Sequence, residues 1–393
     1  MKKMNIAIIC DAISFVGGTS VATLRLSEQL AKKGHNVTII SSKYPEDPDF
    51  EVSNGVKIYR LPAFPVMPSN KALFLAFPNR KELKKIFAKE KTELVHFMFP
   101  ATFLTWSAIK TAELLGLKIT IQSNVQPEAW MIYLPKIFSG RQISRQLVKL
   151  AYYCLMRLYK KADAMICPSK FSKEILERIG LKNKMYVISN GVDTSKFRKQ
   201  NPGRCCEKFG LSPKTVKILY VGRLDHEKNV SQLVNAAQHI RKYFENFEIC
   251  IVGTGLEETV LKDLTTLLGL QKEVKFLGKI STEDLINMYN LCDVFVLPSL
   301  IELEGMVVLE AMACGKPILV ANSPDSASRY FVNGNGFLVD PYDAKDLAKK
   351  ALILLEDSNL RKKMGQLSYK KSREFDIHKS ISKVEEVFYS ILN

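Results

Sequence analysis

"NIAIICDAISFVGGTSVATLRLSEQLAKKGHNVTIIS", residues 5–41, holds the pattern on which the fold turns. "NIAIIC" is a short apolar run without polar alternation, as a strand buried on both faces requires. Gly17 and Gly18 then interrupt the chain, and "SVATLRLSEQLAKKG" reads as an amphipathic helix that Gly34 stops. "NVTIIS" supplies a second strand. Strand, helix and strand in that order make one crossover unit of a parallel sheet.

The same alternation runs outward from this unit. "LVHFMF", "KITIQS", "AMICPS" and "MYVIS" read as further strands of the first half. "VKILYVG", "FEICIVG", "VKFLG", "VFVLPS", "PILVAN" and "GFLV" repeat the scheme in the second. The expected architecture is α/β, with two doubly wound, Rossmann-like parallel-sheet domains facing each other across a cleft. The first domain is placed at residues 1–198. "RKQNPGRCCEKFGLSPK" (198–214) carries two prolines, two glycines and several charges, so residues 199–214 read as the linker. The second domain then spans 215–375, and "IHKSISKVEEVFYSILN" gives a terminal helix, 376–393, expected to pack back on the first domain.

Charge separates the two halves. Residues 1–200 contain 32 Lys/Arg against 15 Asp/Glu, whereas residues 201–393 contain 25 of each, so the net +17 belongs to the first half. Such asymmetry points to an anionic partner there. "MKKMNIAIIC" imitates a signal peptide, but Asp11 cuts the apolar core short. The eight cysteines form no CxxC pair, which fits a reducing cytoplasm better than a disulfide or zinc framework. No apolar run approaches the ~20 residues of a spanning helix.

Several stretches then stand out chemically. Gly17 and Gly18 at a helix start suit a phosphate, or simply a tight turn; "GGTS" is not the dinucleotide fingerprint GxGxxG. Arg223 and Lys228 in "VGRLDHEKN" follow a strand, where open α/β sheets bind ligands, and both can meet phosphate. The ordinary alternative is a pair of solvated surface cations. Gly253 and Gly255 lie at another strand-to-helix turn, open either to a nucleotide or to a structural reading. Asp47 and Asp49 imitate an acid-x-acid metal site but read as surface, and no metal site is expected. Glu302 precedes the helical stretch "GMVVLEAMACG" and Glu310 lies on its second turn. A carboxylate suits paired hydroxyl donors, such as those of a sugar or a ribose diol; Glu310 serves equally as a buried bridge.

"ELEGMVVLEAMACGKP" resembles the E-x7-E segment of the family-4 retaining glycosyltransferases, which have the GT-B fold. "GGTS", "KKGHNVTII", "ISNGVD" and "GRLDHEKN" stand in the family's order along nearly the whole chain. The resemblance implies an acceptor-binding first domain and a nucleotide-sugar-binding second one. Arg223 and Lys228 would neutralise the donor diphosphate, with backbone N–H groups from Gly18 and Gly17. Glu302 would engage the donor sugar and Glu310 the ribose, with Gly305, Met306 and Val307 beside the sugar, Gly253 at the nucleotide, and Lys279 and Ile280 near the base. The reaction would be retaining and metal-independent, with no cofactor beyond the nucleotide sugar, UDP-linked by resemblance. One position departs: family members usually carry His where this chain has Asn124. Asn positions a hydroxyl but cannot shuttle a proton near neutral pH, which leaves either a positioning role, with the leaving phosphate taking the acceptor's proton, or a slow or altered reaction.

The basic first half suggests where an acceptor lies. Between Lys136 and Lys161 stand seven Lys/Arg and no acid, interleaved with aromatic and aliphatic residues; "NRKELKKIFAKEK" (79–91) adds a second basic helix. Lys81, Lys84, Lys85, Lys136, Arg141, Arg145 and Lys149 are the expected contacts with an anionic membrane carrying a lipid acceptor such as diacylglycerol, the plain alternative being a solvated face over an ordinary core. A cytoplasmic enzyme peripherally bound to the membrane follows, with no nucleic-acid signature and its oligomeric state open. The other readings are transfer to a soluble or polysaccharide-linked acceptor, a nucleotide-sugar epimerase, and a sugar-nucleotide-binding protein without turnover.

Overall fold

The computed structural model describes residues 2–11, 13–14, 17–67, 70–98, 102–124 and 141–393, with the backbone alone for 66–67, 70–73, 141–145 and 148. The chain divides into two compact units, one of Met1–Asn190 with His378–Asn393, the other of Gly191–Ile377.

The first unit contains, in chain order, β1 (Asn5–Ile9), α1 (Gly18–Lys32), β2 (Asn36–Ser42), β3 (Phe50–Ser53), β4 (Val56–Leu61), β5 (Ala63–Met67), β6 (Asn70–Ala76), α2 (Arg80–Lys89), β7 (Leu94–Phe97), α3 (Phe103–Leu114), β8 (Lys118–Gln122), α4 (Arg141–Tyr159), β9 (Ala164–Cys167), α5 (Lys170–Arg178) and β10 (Met185–Val187). Its sheet runs β10-β9-β8-β7-β1-β2-β4-β3, with only the β3–β4 pair antiparallel. β5 and β6 form a separate antiparallel hairpin. Gly34 ends α1 in the left-handed region (φ +95°), and the Gly34 and His35 amides donate back to Ala31 and Leu30. Thr102 caps α3, and Ser169 with Ser172 forms a capping box on α5.

The second unit follows with α6 (Cys205–Phe209), β11 (Val216–Val221), α7 (Val230–Ile240), β12 (Phe247–Val252), α8 (Glu258–Leu267), β13 (Val274–Gly278), α9 (Thr282–Leu291), β14 (Val294–Leu297), α10 (Met306–Ala313), β15 (Ile318–Ala321), β16 (Gly336–Val339), α11 (Ala344–Glu356) and α12 (Ser358–Ser372). Its sheet is wholly parallel, in the order β13-β12-β11-β14-β15-β16. All six apolar runs read from the second half of the sequence are strands of this sheet.

The division falls at Asn190–Gly191, ahead of residue 198, and residues 199–214 lie within the second unit. There the local chain is not a free connector. It folds α6, and Cys205 and Leu211 are buried in the core with Phe197 and Met288. The terminal helix α13 (Ile377–Leu392) is counted, from His378 on, with the first unit. Glu385 joins Lys33 at 2.5 Å and His35 at 2.9 Å, and the Phe388 ring lies 5.2 Å from His96. Among the described residues no helix is long and apolar enough to cross a membrane.

Candidate active site

The chain of the second unit leaves β11 outward through β12 and β13, then returns to β14 on the other side of β11. Loops at the carboxyl ends of β11 and β14 therefore diverge at the point where the winding reverses, the place where open α/β sheets bind ligands. Arg223 and Lys228 follow β11, Gly253 follows β12, and Glu302 stands between β14 and α10. Residues far apart in sequence thus meet because the strands are neighbours.

The cations are held, not loose. Lys228 Nζ donates to Glu302 Oε1 at 2.7 Å, with only 14% and 16% of the two side chains exposed. Arg223 pairs with Asp225 through Nη1 and with Glu227 through Nη2, the latter at 2.5 Å. Tyr220, wholly buried, donates its hydroxyl to the Arg223 carbonyl at 2.6 Å. Asp225 also accepts the Leu256 amide at 3.0 Å, which ties the arginine loop to the glycine loop after β12. Asn229 adopts left-handed backbone (φ +54°) and donates to the carbonyls of Pro298 and Pro341, fastening the lysine loop to the end of β14. A rigid frame of this kind spares a ligand the cost of ordering the cations.

Two glycines have steric reasons. Gly253 takes φ +130°, and a β-carbon there would come within 1.9 Å of the Gly222 carbonyl oxygen. Gly305 takes φ +92° as the N-cap of α10, where a β-carbon would meet Ser328 at 2.8 Å. It brings no capping side chain, so the first turn, with half-buried Met306 and Val307, presents backbone N–H groups and the positive end of the helix dipole. Glu302 is anchored by its backbone: its amide donates to Asp325 and its carbonyl accepts from Ala327. Glu310, 5% exposed, accepts the hydroxyl of buried Tyr289 at 2.9 Å; burial first, then the Glu310 charge, holds that phenol's pKa well above its ordinary value.

The family model described as "Glycosyl transferases group 1" matches residues 206–371, and "Glycosyltransferase Family 4" matches residues 16–196. The chain belongs to the family-4 glycosyltransferases. Alpha-monoglucosyldiacylglycerol synthase of Streptococcus pneumoniae is 25% identical over 371 residues, 90% of this chain and 80% of that one. Sucrose-phosphate synthase from Thermosynechococcus elongatus superimposes with a TM-score of 0.80 at 22% identity, covering 99% of both chains. HepE of Anabaena, solved with UDP and glucose, gives 0.77 at 18% identity over 98% of this chain and 99% of that one. The fold of the glycosyltransferase is GT-B.

In the other unit of the glycosyltransferase, Gly17 caps α1 in extended backbone and Gly18 opens the helix. Asn124 follows β8; its side chain donates to the Met98 carbonyl at 3.2 Å and accepts from Gln122, which also donates to Asn190. The amide is therefore fixed beside the ends of β7 and β8. His96, wholly buried on β7, bonds Thr120, and burial lowers its pKa to about 4. Lys279 is exposed and Ile280 half-buried, just past the edge strand β13. Lys81, Lys84 and Lys85 are exposed on α2 and Lys149 on α4; Arg141 and Arg145 belong to the α4 backbone, and Lys136 lies outside the described residues. Asp47 is tied to Ser14 and Arg60, and Asp49 to Lys43.

Sequence reading missed the residues that hold the others. Asp225 and Glu227 were legible as an acid-x-acid pair just after Arg223 in "GRLDHEK". Tyr289, on α9, gives no local sign of its bond to Glu310, because the two lie 21 residues apart in the chain.

Proposed function

We propose that this glycosyltransferase moves a hexose from a UDP-linked donor to a membrane lipid such as diacylglycerol, with retention at the anomeric carbon. The observation that carries the reading is the Lys228–Glu302 pair beside Arg223 at the strand-order reversal. Cations for a diphosphate stand there next to a carboxylate for sugar hydroxyls, so one loop cluster recognises both halves of a sugar nucleotide. HepE's complex with UDP and glucose supports the donor class, and the similarity to a glucosyldiacylglycerol synthase supports the acceptor class.

The chemistry follows from this placement. Arg223 and Lys228 stabilise the negative charge that grows on the departing diphosphate, the task a divalent cation performs in metal-dependent transfer. The bond between the anomeric carbon and the phosphate oxygen breaks, and the acceptor oxygen attacks on the same face. Its proton passes to the departing phosphate oxygen, so no protein base is needed and Asn124 serves by orienting a hydroxyl. Glu302 holds donor-sugar hydroxyls, the backbone of Gly305, Met306 and Val307 borders the sugar, and Glu310 faces the ribose. Gly253 admits the nucleotide and Lys279 with Ile280 flank the base.

The test is a panel of nucleotide sugars incubated with the enzyme and a lipid extract, read by mass spectrometry, with product configuration read by NMR. An α-linked glycolipid from a UDP-hexose is the expected product. Transfer only to water-soluble acceptors would overturn the lipid reading, and UDP binding without any transfer would favour a protein in which Asn124 has ended turnover.

A further inference from the structure

Three phenylalanines stand together on the first unit with more than half of each side chain in solvent: Phe64 at 65%, Phe77 at 56% and Phe103 at 54%. Phe64 lies on β5, Phe77 just past β6, and Phe103 opens α3. The Phe77 and Phe103 rings are 4.3 Å apart and tilted by 30°, and Phe64 lies 6.4 Å from Phe77. Contiguous exposed aromatics of this kind mark an interaction surface, since isolated apolar residues are what an ordinary surface carries.

The patch is built on a braced frame. Asp11, completely buried at the end of β1, accepts the Thr102 hydroxyl on one oxygen. Its other oxygen accepts the Ser42 hydroxyl at 2.5 Å and the Ala76 amide at 3.4 Å. Thr102 and Ala76 immediately precede Phe103 and Phe77, so a single carboxylate fixes the two segments that carry the stacked rings. Ala76 also donates to Ser42 at 2.9 Å, and Phe74 packs on Tyr44 with ring centres 4.7 Å apart. The rings are therefore held outward by buried polar bonds beneath them.

Charge names the occupant. α2 begins three residues after Phe77 and exposes Arg80, Lys81, Lys84 and Lys85 against one acid, Glu82. Aromatic side chains beside a basic helix match the boundary of an anionic bilayer, where rings enter the acyl edge and cations remain with the headgroups.

We infer that Phe64, Phe77 and Phe103 form an aromatic wedge that seats the first unit on an anionic phospholipid surface, with the basic face of α2 beside it. This deepens the lipid-acceptor reading, on which it rests for its purpose; its test does not depend on that reading.

The full chain is sedimented with phosphatidylglycerol–phosphatidylcholine vesicles and with pure phosphatidylcholine vesicles. Wild type binds the anionic vesicles; F64S/F77S/F103S lowers the partition coefficient by at least about tenfold at both low and high salt. K81Q/K84Q/K85Q weakens binding chiefly at low salt. Unchanged UDP binding and thermal unfolding identify the triple-serine protein as folded. Independently, F64W is quenched by bromolipid beyond the wild-type level set by Trp106 and Trp130. Equal vesicle binding by wild type and the folded triple-serine variant, or no added quenching in F64W, overturns the wedge. Transfer to detergent-dispersed diacylglycerol is measured in parallel: its loss with vesicle binding intact sinks the acceptor reading alone, and its persistence with no vesicle binding sinks the wedge alone.

Discussion

Replacing Lys228 with methionine removes one charge from the proposed diphosphate site while keeping most of the side chain's volume. Lys228 Nζ lies 2.7 Å from Glu302 Oε1, and both side chains are shielded, at 14% and 16% exposure. At that separation the gross attraction is about 6 kcal/mol for an effective dielectric of about 20. Desolvation cancels most of this, leaving about 1.5–3 kcal/mol for a hydrogen bond between charged groups. Under the proposed mechanism the lysine instead meets a leaving group whose charge is increasing, so its loss would raise the barrier by a similar amount. The variant is expected to lose about 10- to 150-fold in kcat/KM, with kcat falling more than KM rises. On the same proposal Glu302 would add to the defect, because its carboxylate, 2.7 Å from Lys228 Nζ in wild type, would be left without its cation beside the diphosphate. The double variant K228M/E302Q should therefore be less impaired than the two single losses multiplied together. Initial rates with UDP-glucose and an identified acceptor give these values, with calorimetric UDP binding as the ground-state comparison. A folded K228M protein within about threefold of wild-type kcat/KM would refute the phosphate role.

Gly253→Ala should cost about 3 kcal/mol or more, because the new methyl would occupy the place of the Gly222 carbonyl in backbone of φ +130°; a melting curve like that of wild type would contradict this. Burial, opposed by bonds from Ser42 and Thr102, raises the Asp11 pKa from 3.8 to about 6. Between those values the folded state takes up a proton that the unfolded state does not, so this group favours folding more as pH falls from 6 towards 4. Asp11→Asn removes the effect, and the stability of wild type relative to the variant should improve by about 2 kcal/mol between pH 7.5 and 4.5 in urea unfolding. Asn124→His should leave kcat within about threefold and add no ionisation near pH 6.5, whereas Asn124→Ala loses about tenfold; a new limb in the pH–rate profile of the histidine variant would assign proton chemistry to that position.

The parts of the fold that were legible share a local cause. Runs such as "NIAII" and "FEICIV" are buried on both faces, so their apolar character needs no partner to be read. β3 to β6 were not read. They include a separate hairpin and an antiparallel edge pair, in which β3 buries none of its residues and β4 alternates buried with half-buried ones, so neither strand of that pair presents the continuous apolar run of a central strand. The Asn54–Gly55 turn joining β3 to β4, both residues at positive φ, was an available sign of the first of these. Residues 199–214 looked like a connector because polar residues, Pro and Gly outnumber apolar ones. Cys205 and Leu211, buried, and Cys206 and Phe209, partly buried, bind the segment to the second core.

The chain's order of strands and helices, its basic first half and the residue types offered to a sugar nucleotide are properties of short stretches, and the sequence alone determined them. Which of those residues meet was decided by tertiary structure. Lys228 meets Glu302 where β14 lies beside β11, Tyr289 on α9 meets Glu310 on α10 across 21 residues of chain, and Phe77 meets Phe103 where Asp11 bonds both segments. The physical reason is range. Burial patterns repeat within a few residues of chain, whereas hydrogen bonds and ring contacts act over a few ångströms of space, and only the finished sheets convert one distance into the other.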